Sequence, residues 1–315
     1  MKYTIKKSIV FLISLFFTSV LTFTAFNIIP GDSALNALGM DASKVELEEY
    51  RKAMGLDKSL PIRYFNWLKA ALKGDFGYSS GYQMQMKVST LIRDRLTVTL
   101  WLAFLSFLLI ALISIPLGIL SARKKDSIIN DFINLITQIF MSVPSFFLAM
   151  IITLIFGIIL KWFTPGDYIS PYENLGKFLS FMIFPALAVA IPKIAMMVKF
   201  LRSSLLREME LDYVRTAKSK GMTNTNILFR HIFRNALIPV ITFLAMVLAD
   251  ILAGTILVEQ VFNLPGLGRL LVSSIANRDY AVVQAIVLYT VSVVIIINFF
   301  VDLIYQWIDP RVRRD

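Results

Sequence analysis

Residues 212–240 read DYVRTAKSKGMTNTNILFRHIFRNALIPV. Basic and amide-bearing residues run through this stretch and then give way to an apolar run. It sits in a chain that is 57% hydrophobic and only 17% charged, with a mean hydropathy of +0.69. The stretch is either a solvated loop between two membrane spans or a surface built to be held, and its flanks decide the fold. The apolar runs on either side, 178–201 and 236–262, exceed the roughly 18–20 residues that a helix needs to cross a ~30 Å hydrocarbon core. Lipid offers no partner to backbone N–H and C=O groups, so such runs are helices. The chain is read as an all-α polytopic membrane protein.

Working outward, the same criterion gives six spans, at 8–29, 97–120, 132–160, 178–201, 236–262 and 281–307. The net charge of +11 is read as topology rather than as a nucleic-acid footprint, because Lys and Arg gather in short loops. Between Lys199 and Arg234 there are eight Lys/Arg against three acids, and "SARKKDS" after the second span is also basic. Lys2, Lys6, Lys7 and the terminal "DPRVRRD" put both ends on that side, giving an N-in/C-in arrangement. The N-terminal apolar run is too long for a signal-peptide core and is read as a retained first span. With no Cys and the single His231, disulfides and a multi-histidine metal site are excluded.

One outer segment, from about Pro30 to Leu96, is long. "SKVE" at Ser43–Glu46 is a capping-box pattern, and Gly55 suits the end of the helix that it opens. A second amphipathic helix is expected from Pro61 to Gly74, with Phe65, Leu68 and Leu72 on one stripe. This segment is either a cap on the outer mouth or a docking surface for a soluble partner.

Pro116, Pro144, Pro185 and Pro192 interrupt three consecutive spans and fit a core that changes shape. Ionisable residues inside spans are costly and point to function. Asp250, mid-span in "MVLADILAGT", is expected to face the bundle interior or a partner subunit, with Lys193 as a possible counter-charge. Lys199 and Asp302 lie near span ends and can snorkel. No G-x-x-x-x-G-K-[ST] loop, H-E-x-x-H or G-x-S-x-G occurs, so neither Walker-type ATP binding nor an enzyme site is expected.

Within the opening stretch, 212–220 is expected to be a short helix with Tyr213, Val214 and Ala217 along one side. Arg215, Lys218 and Lys220 project elsewhere. Gly221 suits a left-handed stop, and Thr223 can cap a following helix. The apolar stripe is taken as a sign of a partner.

These residues resemble the transmembrane subunits of bacterial ATP-binding-cassette importers, whose cytoplasmic signature is an E-A-A–x3–G loop. Only Ala217 and Gly221 match that general form. "DYVRTAKSKGM…HIFRNALIPV" is closer to the dipeptide/oligopeptide/nickel subfamily. "IIPGD", "MGLDKSLPIRYFNWL…LKGDFGYS", "VPSFFLA", "VEQVFNLPGLGRLLVSSIANRDY" and "DPRVRR" agree with that subfamily, in order, along nearly the whole chain. Ser33, where proline is frequent, is a small departure. The long outer segment resembles the first of the two paired permeases.

The resemblance implies a type I (MetI-like) permease fold. It comprises a first helix with its outer segment (1–94), a permease core (95–310) with a coupling loop at 202–235, and a cytoplasmic tail (311–315). It implies a bacterial inner-membrane location and a second homologous permease subunit. It also implies two cytoplasmic ATPases holding ATP and magnesium, an outer substrate-binding protein, and no cofactor on this chain. Asp212, Tyr213, Val214, Arg215, Thr216, Ala217, Lys218 and Gly221 match the helix that engages an ATPase. Pro144, Asp250, Gly254 and Glu259 are path or gate candidates, as are Pro265, Gly266 and Gly268 of "NLPGLGRL", for which a plain Pro-Gly turn is the alternative. Peptides are the expected cargo. Nickel or a metal chelate is the alternative, and a self-powered secondary transporter the more distant one.

Overall fold

The computed structural model describes residues 2–28, 43–53, 55, 57–83 and 85–308. Most of "IIPGD", Ser33 and the tail "DPRVRR" lie outside the described residues. In chain order the helices are α1 (Lys2–Ile28), α2 (Lys44–Ala53), α3 (Leu60–Ala71), α4 (Val88–Arg123), α5 (Ile128–Ser142) and α6 (Ser145–Ile152). They continue with α7 (Leu175–Met209), α8 (Asp212–Ser219), α9 (Asn224–Ile227), α10 (Phe233–Gly254), α11 (Ile256–Val261), α12 (Leu267–Ala276) and α13 (Tyr280–Ile308). Wider π turns extend α6 over Thr153–Ile159 and join α9 to α10 over Leu228–Ile232. The described residues form no β-strand, only an isolated bridge between Tyr78 and Lys87.

Five helices are long and apolar enough to cross a membrane, or six if the bent pair 128–142 and 145–159 counts as one span. The span expected at 132–160, with Pro144 interrupting it, is a bent pair: the chain turns by 99° at its centre. Val143 and Pro144 are extended, and Pro144 starts α6. The residue before a proline is pushed out of the α region, which ends α5 at Ser142. Pro116, Pro185 and Pro192, by contrast, stay inside continuous helices. A proline alone therefore does not break a span.

The chain divides into two compact units. One consists mainly of 100–264 and the other of 5–99 with 265–296. In the first, α7 is the centre, and α5, α6, α10 and α11 all pack on it. Two-thirds (67%) of its most apolar window is buried, against 17% for α1. Its buried face carries Ala186, Ala188, Ala190 and Ala195, small residues that allow close helix approach. Gly118 of α4 lies against Leu201, where a Cβ would come within 2.8 Å of Leu201 Cδ2. Buried Asn130 ties the corner between α4 and α5 to α7. Its Oδ1 accepts from Ser121 Oγ (2.8 Å) and Arg202 Nε (3.0 Å), and its amide donates to the Lys125 carbonyl.

In the second unit, Val88, Leu91 and Ile92 of α4 pack with Leu267 and Leu270 of α12 and with Val282, Ala285 and Ile286 of α13. The capping box forms as expected: Glu46 accepts from Ser43 N at 2.8 Å, and Glu46 N donates to Ser43 Oγ at 3.3 Å. That contact holds the Glu46 carboxyl below the usual carboxylate range. Gly55 adopts φ +64° beyond α2. α3 buries Tyr64 against α1 and leaves Phe65 and Leu72 exposed. Of the expected Phe65–Leu68–Leu72 stripe, only Leu68 is half-buried, and Phe65 and Leu72 are turned away from the rest of the chain.

Candidate functional site

The polar stretch that follows α7 folds as a helix, a corner and a second helix. Eight residues of helix are marginal in water, so α8 needs an anchor. Val214 and Ala217 supply it: both are buried, with α8 packed on α9. This changes the meaning of the apolar stripe, since Val214 and Ala217 are consumed within the chain rather than offered outward. Asp212, Arg215, Thr216 and Lys218 are exposed on α8, and Lys220 and Gly221 are exposed at its end. Asp212 and Arg215 form only a loose, solvated pair at 3.7 Å. Tyr213 is half-buried and donates through Oη to Glu208 Oε2 at 2.7 Å. Burial first, and the Glu208 carboxylate second, push its phenol up to about 12.

The corner after α8 is a Schellman turn. Gly221 N donates to Lys218 O (2.9 Å) and Met222 N to Ala217 O (3.3 Å), with Gly221 at φ +77°. No atom lies within 4 Å of where a Gly221 Cβ would stand, so glycine is required by the backbone and not by crowding. Thr223 Oγ1 then accepts from Asn226 N at 3.4 Å and opens α9.

The span candidates sort by burial. Lys193 of α7 is ion-paired to Asp250 of α10, so the two intramembrane charges meet. The Asp250 side chain is nevertheless 59% exposed and that of Lys193 23%. Pro144 and Gly254 are exposed as well. Glu259 is fully buried, with Thr255 Oγ1 3.5 Å from its carboxylate. α11 packs on α6, the helix that Pro144 begins.

"NLPGLGRL" is a built corner. Asn263 takes φ +56°, and Leu264 N closes a second Schellman turn on Glu259 O at 2.9 Å. In the other unit, Leu267 N donates to Thr99 Oγ1 at 2.9 Å, Pro265 is half-buried, and Gly266 and Gly268 are buried.

Two polar anchors escaped the sequence reading. Asn130 carries no signal beyond being an amide on an amphipathic helix. Asp279, fully buried, caps α13 by accepting from Val282 N. Its other oxygen accepts from Ser79 Oγ, Gly81 N (3.2 Å) and Tyr82 N (3.1 Å). An Asp directly before a long apolar run is an N-cap signal, but nothing local reveals a partner loop 200 residues away.

Comparison with known proteins places this architecture. Residues 114–314 match the family described as "binding-protein-dependent transport system inner membrane component", and residues 1–103 match its N-terminal companion. A Brucella abortus (strain 2308) protein assigned as a peptide transport system permease is 36% identical over 297 residues, covering 94% of each chain. The oligopeptide transport system permease protein AppB of Bacillus subtilis is 32% identical over 313 residues, covering 99% of each. A peptide ABC transporter permease protein of Sinorhizobium fredii is 31% identical over 294 residues, covering 93% of each. ATP hydrolysis in such importers lies in separate subunits, which accords with a sequence that has no phosphate loop. The chain therefore belongs to the binding-protein-dependent transport inner-membrane family, as a multi-pass permease subunit of a bacterial ABC importer.

Proposed function

We propose that this permease carries peptides, as one of two related membrane subunits served by two cytoplasmic ATPases and an outer binding protein. The observation that carries the cargo class is the set of relatives, named for peptide or oligopeptide transport along 93–99% of this chain. ATP and magnesium belong to the ATPases in this reading, and the chain binds neither.

The ATPase contact is assigned to the outward face of α8. A helix anchored by Val214 and Ala217 and presenting Asp212, Arg215, Thr216 and Lys218 offers charge to a partner, with Gly221 setting its angle. The basic loops around it support N-in/C-in, with α8 in the cytoplasm. The ATPases act by binding one conformation of the permease more tightly than another.

The Lys193–Asp250 pair is assigned to the transport path. A charge facing acyl chains at mid-span costs about 2.5–3.5 kcal/mol even on the mildest scale. An Asp250 side chain 59% open is therefore turned to a water-filled path or to the companion subunit. Pro144 and Gly254, exposed at helix breaks, are the accompanying gate positions.

Uptake by the complete importer in proteoliposomes tests the cargo. ATP-dependent entry of a labelled oligopeptide is expected. Entry of a nickel chelate with no peptide entry would reverse the assignment.

A further inference from the structure

The sequence left α3 as either a mouth cap or a docking surface for a soluble protein. We infer that α3 is instead a membrane-interface helix whose free apolar side is covered by lipid.

The argument begins with depth. Tyr64 Oη lies 2.7 Å from Ser19 Oγ of α1, and its ring packs edge-on against Phe16 and Phe23. Trp67 packs on Phe23, and Arg63 Nη2 donates to Asn27 Oδ1 at 2.6 Å. α1 is apolar enough to cross a membrane over Ile5–Ile28. At a 1.5 Å rise per residue, Phe23 lies about 7 Å, and Ser19 about 13 Å, below the helix end at Ile28. The backbone of α3 thus runs beside the last turns of a transmembrane helix, and its anchoring tyrosine points deeper.

The wheel of α3 agrees with that level. Tyr64, Trp67, Leu68 and Ala71 cluster on the side facing α1. Phe65 and Leu72 stand beside that cluster, about 100° round at 3.6 residues per turn, and are 64% and 82% exposed. Asn66, Lys69 and Lys73 occupy the remaining side, with exposed Ile62 among them in the first turn. One flank is thus held by α1, one is apolar and uncovered, and one is polar and basic but for Ile62. A helix lying in the headgroup boundary has this pattern, with its apolar side sunk about 5–10 Å. The uncovered flank also continues a lipid-facing surface: Phe16, Phe17, Leu21 and Ile28 of α1 are all exposed. Lys69 and Lys73 then reach toward headgroup phosphates.

The absence of cysteine makes the test direct. Spin labels are placed singly at Phe65→Cys, Leu72→Cys, Asn66→Cys and Lys73→Cys in the whole importer. The complex is held in vesicles of phosphatidylethanolamine and phosphatidylglycerol. Collision with lipid-soluble oxygen is compared with collision with water-soluble nickel-EDDA. Labels at positions 65 and 72 are expected to favour oxygen several-fold, and labels at 66 and 73 to favour nickel-EDDA. Equal access of nickel-EDDA to all four sites would overturn the inference in favour of a solvated cap. Exclusion of both reagents at 65 and 72 would overturn it in favour of a protein partner. Positions 65 and 72 give independent readings, so failure of one variant to assemble leaves the other decisive.

Discussion

At the scale of single residues, Gly221 carries the sharpest consequence. Its φ of +77° costs a residue with a Cβ about 1–2 kcal/mol, and a β-branched one more. Because the space around it is open, the penalty is purely conformational. Gly221→Val is expected to insert normally but to lower recovery of ATPase subunits in pull-downs and to reduce uptake. Gly221→Asn, which tolerates the left-handed region, should retain most of both. Tyr213 gives a pH signature. Its ordinary pKa of 10.0 is raised to about 12 in the folded chain, so the fold holds the phenolic proton more tightly than the unfolded chain does. Its stabilising contribution is full below pH 10 and is lost as pH climbs through about 12. In a tyrosinate absorbance titration, the difference between wild type and Tyr213→Phe should show one group ionising near 12. A difference centred at 10 would contradict the buried contact with Glu208.

At the scale of elements, the loop that carries Ser79, Gly81 and Tyr82 and the start of α13 behave as one piece because of Asp279. Its carboxylate accepts from Ser79 Oγ, Gly81 N and Tyr82 N, and Gly81 packs so closely that a Cβ would fall 2.4 Å from Asn277 O. Asp279→Ala leaves those donors without an acceptor, at about 1–3 kcal/mol for each one that stays buried. The expected outcome is faster amide exchange and easier proteolysis confined to 76–88 and the first turn of α13, with the core of the permease unchanged. Span positions were legible in the sequence because twenty apolar residues have one structural solution in lipid. The capping box and the Gly221 corner were legible because both are local hydrogen-bond chemistry. All four prolines were read as interruptions, and only Pro144 is one, since Pro116, Pro185 and Pro192 stay helical. Tertiary support decides which proline bends a span, and a single chain of letters does not display it. The same holds for Asp279, whose donors come from a distant segment, and for Val214 and Ala217, whose burial depends on α9.

At the scale of the whole molecule, the permease separates its tasks by chemistry. Apolar spans fix it in the membrane, one exposed ion pair stands where charge is expensive, and one anchored polar helix faces outward. That charge pair was legible as two intramembrane ionisable residues of opposite sign, with Lys193 offered as the counter-charge of Asp250. Their meeting needed the packing of α10 on α7. The central claim is that the outward face of α8 is where an ATPase engages this chain. It is tested most directly by placing the only thiol of the chain there. With no native cysteine, Arg215→Cys in the assembled importer can carry a short photoactivatable crosslinker. The account predicts a crosslink to an ATPase subunit whose yield changes when ATP is added. A thiol at 215 that is fully open to a water-soluble maleimide in the assembled complex, and that captures no ATPase, would contradict it.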